Sequence, residues 1–382
     1  MSRPLRLLTI IGARPQIIKA AALGRAIKAT GGRIVETLLH TGQHYDANMS
    51  GTFFEELGIA PADINLEVGS GAQGASTARM IEGIEKVLLR KEHDMVVLYG
   101  DTNSTLAGAV AASKLQVPIV HIEAGLRSYD KSMPEELNRI ITDHCSTWLF
   151  CPTLAAVADL KKEGMVGEQA GIPNLDHPAV VHCGDVMYDN SMYFAQKAFE
   201  RSTILEDLGL EAGFILSTVH RQSNTDNAKN LNAIFRALST LHTEQGLPIV
   251  LPLHPRTRKV MDAQLQPALL KAIEGSATFH LIEPVGFLDM IALESNAGVV
   301  LTDSGGVQKE AFFFKRPVVV MRDSTEWVEL VEAGQALLVG TDEVRIVEAT
   351  MHFIEHGVPE SPMFYGDGHA AEKICNELLR YW

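Results

Sequence analysis

Apolar and polar positions along the chain follow two alternating patterns. Short, almost continuously apolar runs fall at 5–11, 34–40, 95–99, 119–122 and 148–151. Further runs follow at 214–218, 249–252, 279–282, 298–302 and 318–321. Such runs read as strands buried on both faces of a parallel sheet. Between them lie stretches with apolar residues every three or four positions, at 17–30, 75–90, 104–115 and 227–246, which read as amphipathic helices. Strand–helix alternation builds right-handed βαβ units, so the pattern predicts an α/β protein with doubly wound parallel sheets. The alternation weakens over 164–182, where Gly167, Gly171, Pro173 and Pro178 interrupt it. We place a domain boundary there, giving an N-terminal domain over 1–178 and a C-terminal domain over 179–367. The last stretch, 368–382, reads as a helix that packs back on the first domain.

The 382 residues include 46% hydrophobic and 21% charged positions, an ordinary globular balance that rules out a wholly disordered chain. Only 6% are aromatic, so the core is mostly aliphatic. A net charge of −14 argues against coating a nucleic acid or an anionic membrane by bulk charge, and leaves room for a local basic pocket. Cys145, Cys151, Cys183 and Cys375 form no CxxC pair, and no close Cys/His pairs recur, so neither a disulfide framework nor a zinc site is expected. The opening MSRPLRLLTIIGARP reads as a first strand and turn, not a signal peptide, and no apolar run approaches a membrane span. These features predict a cytoplasmic protein.

Ligands bind open α/β sheets at the carboxyl ends of their strands. After the first strand come Gly12, Ala13, Arg14, Pro15, Gln16 and Lys19. Free N–H groups at that helix start, with Arg14 and Lys19, favour an anion; the plain alternative is a strand-to-helix turn with two solvated cations. GxGxxG is absent here, so this is no dinucleotide fingerprint. Asp101 follows the third strand and reads either as a helix cap or as a reactive carboxylate. Glu123 follows the fourth strand and precedes a Gly turn. Pro134-Glu135-Glu136 opens a helix, where acidic residues are ordinary. Crowded carboxylates raise one another's pKa, so one can hold a proton while another stays a base. In the second half, His220-Arg221 and His254-Pro255-Arg256 each follow a strand. The most specific local signal is Thr302-Asp303-Ser304-Gly305-Gly306-Val307-Gln308-Lys309-Glu310. Backbone N–H groups at such a helix start can wrap a diphosphate, Glu310 can accept two ribose hydroxyls, and Arg322 can add charge. A serine cap with a Gly-rich turn is the ordinary alternative.

Together these motifs resemble the non-hydrolysing UDP-N-acetylglucosamine 2-epimerase family. The resemblance runs collinearly through GARPQIIK, HTGQHYDANMS, YGDTNSTLAG, HIEAGLRS, MPEELNRIITD, VHRQSN, LPLHPRTR, LTDSGGVQKEA and MRDSTEWVELVEAG. It implies two Rossmann-like, doubly wound domains facing a cleft in a GT-B-like fold, a homodimer, a UDP-sugar substrate and no cofactor, nicotinamide included. It implies elimination of UDP to an enzyme-bound 2-acetamidoglucal and re-addition with the C2 proton on the opposite face. Asp101, Glu123 and Glu135 match the family's acid–base carboxylates, which leaves Glu136 structural. His220 matches a histidine of the elimination step. Arg14, Ser304, Gly305, Gly306, Glu310 and Arg322 match UDP contacts, and Lys19, Arg139 and His254 line the cleft.

The chain departs from many bacterial members at three places. It reads His220-Arg221-Gln222-Ser223 for HRRE, His254-Pro255-Arg256-Thr257 for HLNP, and Thr325-Glu326-Trp327-Val328-Glu329 for TERPE. Asp46 and Gln222 stand where some members hold an activating second UDP-GlcNAc, which argues against such activation here. The GARPQ, DANMS, HPRT and TEWVE forms resemble the branch acting on UDP-2,3-diacetamido-2,3-dideoxy-glucuronate, whose C6 carboxylate would need a partner such as Arg256 or Gln43. UDP-GlcNAc is the expected substrate and the diacetamido-uronate the alternative. A GT-B glycosyltransferase is a further alternative, disfavoured because the carboxylate trio points to proton chemistry at the sugar.

Overall fold

The computed structural model describes residues 3–42, 58, 61–69, 71–166, 171–253, 255–360 and 362–382. Gln43, Asp46, His254 and the side chain of Arg256 therefore lie outside the described residues. The chain divides into two compact units, Met1–Asn190 with Met363–Trp382, and Ser191–Pro362.

The first unit begins with β1 (Leu5–Ile11), α1 (Arg14–Ala29), β2 (Ile34–His40), β3 (Ile64–Asn65) and α2 (Gln73–Leu88). Next come β4 (Met95–Tyr99), α3 (Asn103–Lys114), β5 (Ile119–Ile122) and α4 (Pro134–His144). Then follow β6 (Trp148–Cys151), α5 (Leu154–Lys162), β7 (Ala179–His182) and α6 (Val186–Arg201), which runs across the boundary. Seven parallel strands lie in the order β3-β2-β1-β4-β5-β6-β7. All five residues of β4 are buried, as a central strand covered on both faces requires. The boundary expected at 178/179 falls inside this unit. The reason is β7, which pairs with β6 through Trp148↔Ala179 to Cys151↔His182 and keeps the chain on the first sheet. Its half-buried edge pattern lacks the continuous apolar run that marked the central strands.

The second unit continues with α7 (Ile204–Asp207), β8 (Ile215–Thr218), α8 (Gln222–Thr225), α9 (Ala228–Gln245), β9 (Ile249–Pro252), α10 (Pro255–Gln264) and α11 (Pro267–Glu274). It ends with β10 (Phe279–Ile282), α12 (Phe287–Asn296), β11 (Val299–Thr302), α13 (Gly305–Phe313), β12 (Val318–Val320), α14 (Val328–Glu332), β13 (Ala336–Leu338) and α15 (Glu343–His356). Six parallel strands lie in the order β10-β9-β8-β11-β12-β13. The longest helix shows why these residues fold as they do. Asn227 caps α9 by accepting the N–H groups of Lys229 and Asn230 at 3.0 and 3.3 Å. Gly246 ends it with φ 68°, a left-handed value that glycine adopts without strain. Between the caps, Leu231, Ile234, Phe235, Leu238 and Leu241 form one apolar stripe, and they belong to one core with Ile215, Ile249 and Leu301 of the sheet.

The last helix, α16 (Ala370–Arg380), belongs to the first unit. Its stripe of Ala370, Ala371, Ile374, Cys375 and Leu378 is buried, and it packs on α1. Asp189 accepts the N–H groups of Ala370 and Ala371 at 3.0 and 2.8 Å, placing a carboxylate at the helix start. In both sheets the strand order reverses beside the first strand, between β1 and β4 and between β8 and β11. The carboxyl edge at such a reversal is where open α/β sheets bind ligands.

Candidate active site

In the first unit this edge is built on two close approaches. A Cβ on Gly12, after β1, would lie 2.0 Å from Ser104 Oγ and 2.3 Å from Thr41 Oγ1, so only glycine fits there. The start of α1 has no side-chain cap at Ala13. Gln16, 1% exposed, replaces it: its Oε1 accepts from Gly12 N and Ala13 N at 2.9 and 3.2 Å. Its Nε2 donates to Tyr99 O and Thr105 Oγ1 at 3.0 and 2.9 Å. Gln16 thus ties the β1 turn to the β4 turn. Arg14 stands exposed in the first turn of α1.

Asp101 is not the helix cap. Thr102 caps α3, accepting the Thr105 N–H at 3.3 Å, which leaves the Asp101 carboxylate for other partners. Arg139 Nη2 lies 2.5 Å from Asp101 Oδ2, and Asn138 Nδ2 donates to the Asp101 carbonyl at 2.8 Å. Burial pushes the Asp101 carboxyl above its ordinary range and Glu123 pushes the same way, against Arg139 and Lys19. Glu123 is ion-paired with Lys19 of α1, both side chains 12% exposed. Space for that pair exists because Gly100 has no side chain; a Cβ there would lie 3.0 Å from Glu123 Oε2 and 3.3 Å from Lys19 Nζ. Asp101, Glu123, Lys19 and Arg139 therefore form one electrostatic cluster of two carboxylates and two cations.

The two glutamates of α4 differ in their surroundings, and Glu136 is the buried one. It is 1% exposed, accepts the N–H groups of Ser128 and Tyr129 at 2.9 and 3.0 Å, and pairs with Arg139 Nη1 at 2.7 Å. Burial raises its carboxyl, but the two N–H donors and Arg139 outweigh it and hold it below the ordinary range. Glu135 stands exposed beside it in the first turn.

The second unit gathers its candidates around Asp303, which is fully buried at the end of β11. Its carboxylate accepts from His220 N, Arg221 N and Asn224 Nδ2 at 3.0–3.1 Å, and lies 3.3 Å from His220 Nδ1. Asp303 thereby fixes His220, after β8, against the start of α13. Ser304 caps α13, accepting the Val307 N–H at 3.4 Å. Gly305 and Gly306 follow as its first residues, half-buried and exposed. Trp327 Nε1 donates to Gly305 O at 2.8 Å, and Lys309 Nζ lies 4.5 Å from the Trp327 ring centre. Arg322 donates to both oxygens of Glu326, at 2.8 and 3.0 Å. Burial opposes ionisation of Glu326, but Arg322 and then Arg221 hold it below the ordinary range. Glu310 of α13 acts on Glu294 of α12: burial first, then Glu310, pushes the Glu294 carboxyl well above the usual range. His254 lies outside the described residues.

Gln16, His121, Asp143, Asp303 and Glu326 stand inside the motifs quoted from the sequence but were given no role there. For His121 a signal was present: it is the one polar residue in the strand Ile119–Ile122. Among the described residues, no group of three or more His, Cys, Asp or Glu side chains could hold a metal ion. No helix among them is long and apolar enough to cross a membrane.

Two doubly wound parallel sheets in one chain, each with charged groups at its reversal point, define a GT-B-like α/β protein. A sequence profile of the family described as UDP-N-acetylglucosamine 2-epimerase matches residues 25–379. The chain is 47% identical to the UDP-2,3-diacetamido-2,3-dideoxy-D-glucuronate 2-epimerase of Pseudomonas aeruginosa, over 98% of this chain and 100% of that one. It is 39% identical to a UDP-N-acetylglucosamine 2-epimerase of Methanocaldococcus jannaschii, over 98% and 99%. A crystal structure of a Methanocaldococcus jannaschii UDP-GlcNAc 2-epimerase in complex with UDP-GlcNAc and UDP is similar with a TM-score of 0.81 and 36% identity, over 98% of this chain and 100% of that one. The chain belongs to the UDP-N-acetylglucosamine 2-epimerase family and is an isomerase.

Proposed function

We propose that this enzyme inverts C2 of a UDP-linked 2-acetamido sugar, interconverting UDP-GlcNAc and UDP-ManNAc. The observation that carries this reading is the cluster of Asp101 and Glu123 with Lys19 and Arg139. The C2 proton of such a sugar is not acidic, so direct abstraction is unfavourable. Elimination removes the difficulty. A carboxylate takes the C2 proton while the C1–O bond breaks, and UDP leaves with the bonding pair, giving a 2-acetamidoglucal. UDP then adds back at C1 as a protonated carboxyl delivers hydrogen to the other face of C2. Such a cycle needs one carboxyl that holds a proton near neutrality and one that stays ionised. The raised proton affinity of Asp101 suits it to hold the proton and the Lys19 ion pair suits Glu123 to the ionised role, with Glu135 as the third carboxylate of the proposal.

The second unit serves the leaving group. N–H groups at the start of α13, with Ser304, Gly305 and Gly306, take the diphosphate, and Arg322 neutralises its charge. Glu310 accepts the ribose hydroxyls, and His220 assists departure of UDP. Arg14, Lys19, Arg139 and His254 complete the ligand's surroundings. The enzyme acts in the cytoplasm as a homodimer, which light scattering on the purified protein tests. A second reading, epimerisation of UDP-2,3-diacetamido-2,3-dideoxy-glucuronate, is favoured by the 47% identity to the Pseudomonas aeruginosa enzyme. Assays with both UDP-sugars side by side in D2O, without an acceptor, test the proposal: deuterium enters C2 of the true substrate. Turnover only when an acceptor is added would point to a glycosyltransferase.

A further inference from the structure

The two carboxylates assigned to proton transfer stand on short turns anchored to neighbouring strands by backbone bonds, Gly100 N–H to Ile122 O at 3.0 Å and the Glu123 and Ala124 N–H groups to Phe150 O at 3.1 Å. Gly100, Glu123 and Gly125 have φ values of 59°, 71° and 80°. For Glu123 this is a conformation that non-glycine residues rarely adopt and that persists only when the surroundings over-determine it. One buried device touches both turns. His121, fully buried within β5, donates its Nε2–H to the carbonyl of Gly100 at 2.8 Å. That carbonyl immediately precedes Asp101. The other ring nitrogen, Nδ1, meets Asp143 Oδ1 at 2.7 Å. Asp143 Oδ2 accepts the N–H of Gly125, two residues after Glu123, at 3.2 Å. The same oxygen accepts Arg127 Nη1 at 2.7 Å, and Arg127 donates Nε and Nη2 to Glu163, each at 2.7 Å. The His121 and Asp143 side chains are both 0% exposed, so neither touches a substrate.

We propose that His121 and Asp143 are positioning residues for the epimerisation: the pair pins the Gly100–Asp101 turn to the Glu123–Gly125 turn and so sets the spacing of the two carboxylates. This rests on the reading of Asp101 and Glu123 as the acid–base groups. Spacing of this kind matters because a displacement near 1 Å can cost about a hundredfold in rate. It also sets proton affinity. Asp101 is faced by Arg139 from α4, Lys19 from α1 and Glu123 after β5, and relaxing the turns lets the two carboxylates separate.

The test is Asp143→Asn in the full chain. Asparagine keeps the shape but not the charge: with Oδ1 kept on the Gly125 and Arg127 N–H groups, its Nδ2–H donates to His121 Nδ1, and the charge-assisted contacts of the carboxylate become neutral, weaker ones. The expected result is a fall in kcat for C2 deuterium exchange of about a hundredfold, with UDP affinity and KM within threefold. The alkaline limb of the pH–rate profile moves to lower pH by about half a unit, since Asp101, the proton holder, then feels less of Glu123. His121→Gln, which can still donate to Gly100 O, retains at least about ten times the turnover of His121→Leu. An exchange rate in Asp143→Asn equal to wild type, or an equal loss of UDP affinity and turnover, overturns the proposal. A crystal structure of Asp143→Asn separates this claim from the functional reading. Lack of exchange by wild-type enzyme would sink the reading alone. Unmoved Asp101–Arg139 and Lys19–Glu123 contacts in the variant would sink the positioning claim.

Discussion

Arg139 sits between two carboxylates, and replacing it with leucine tests the electrostatics of the first unit. Nη2 lies 2.5 Å from Asp101 and Nη1 2.7 Å from Glu136. The Arg139 side chain is 13% exposed and that of Glu136 2%, so the Glu136 arm behaves as a buried pair. Removing one partner of a buried pair costs about 3–5 kcal/mol. Glu136 keeps its two backbone N–H donors, so we expect a loss of about 2–3 kcal/mol. For a unit of this size that lowers Tm by about 5–10 °C. Adding Glu136→Gln removes the stranded charge and should restore about half of the loss. The pH dependence has a definite sign. Glu136 is held below its ordinary range, so its contribution is present above pH ~4 and lost as pH falls. The Asp101 carboxyl, already raised, rises further without Arg139, and a raised carboxyl adds stability at low pH that is lost as pH rises through its folded value. Both effects make the deficit of Arg139→Leu largest near neutrality and smaller below pH ~4. In kinetics, the alkaline limb of C2 exchange moves to higher pH by about one unit, since Asp101 holds its proton longer. Thermal melts from about pH 3.5 to 7.5 and initial exchange rates from about pH 3.5 to 9.5 read both quantities. A deficit independent of pH, together with an unmoved alkaline limb, would refute the clamp.

Other expectations follow from the same contacts. Asp101→Asn and Glu123→Gln should each lower turnover by about 10²–10⁴-fold while UDP affinity by calorimetry stays within threefold; equal losses of binding would contradict the division of roles. Arg322→Ala should weaken UDP binding by about 10–100-fold, and unchanged affinity would remove Arg322 from the diphosphate site. Gly100→Ala places a methyl 3.0 Å from Glu123 Oε2 at a φ of +59° and should lower turnover at least about tenfold with a stability cost of about 1–2 kcal/mol by denaturant titration. For Asp94, burial is outweighed by Arg6 and Arg3, which bring its carboxyl to about 2. Its contribution is present above the ordinary value and lost as pH falls toward 2, so Asp94→Asn should flatten the stability profile in that window, as acid melts would show.

The central strands were legible because burial on both faces leaves no polar alternation, and β1, β2, β4, β5, β6 and β9 fall where the apolar runs lie, as does the edge strand β10. β3, β7 and β13 were not, since two- to four-residue strands with partly exposed positions carry little signal. The residues at strand ends were readable from order and residue type. Their partners were not, because Asp101 and Arg139 lie 38 positions apart, and Lys19 and Glu123 lie 104 apart. Only the sheet order brings such pairs together. The capping question at Asp101 also needed coordinates, since Thr102 competes for the same role one residue later.

Isotopic exchange from solvent is the most direct measurement. With purified enzyme in D2O, UDP-GlcNAc or its diacetamido-uronate counterpart, and nothing to accept a sugar, the account predicts one deuterium at C2 in both epimers, with free UDP and the glycal as trace intermediates. Binding of UDP accompanied by no deuterium at C2 in either sugar would contradict it.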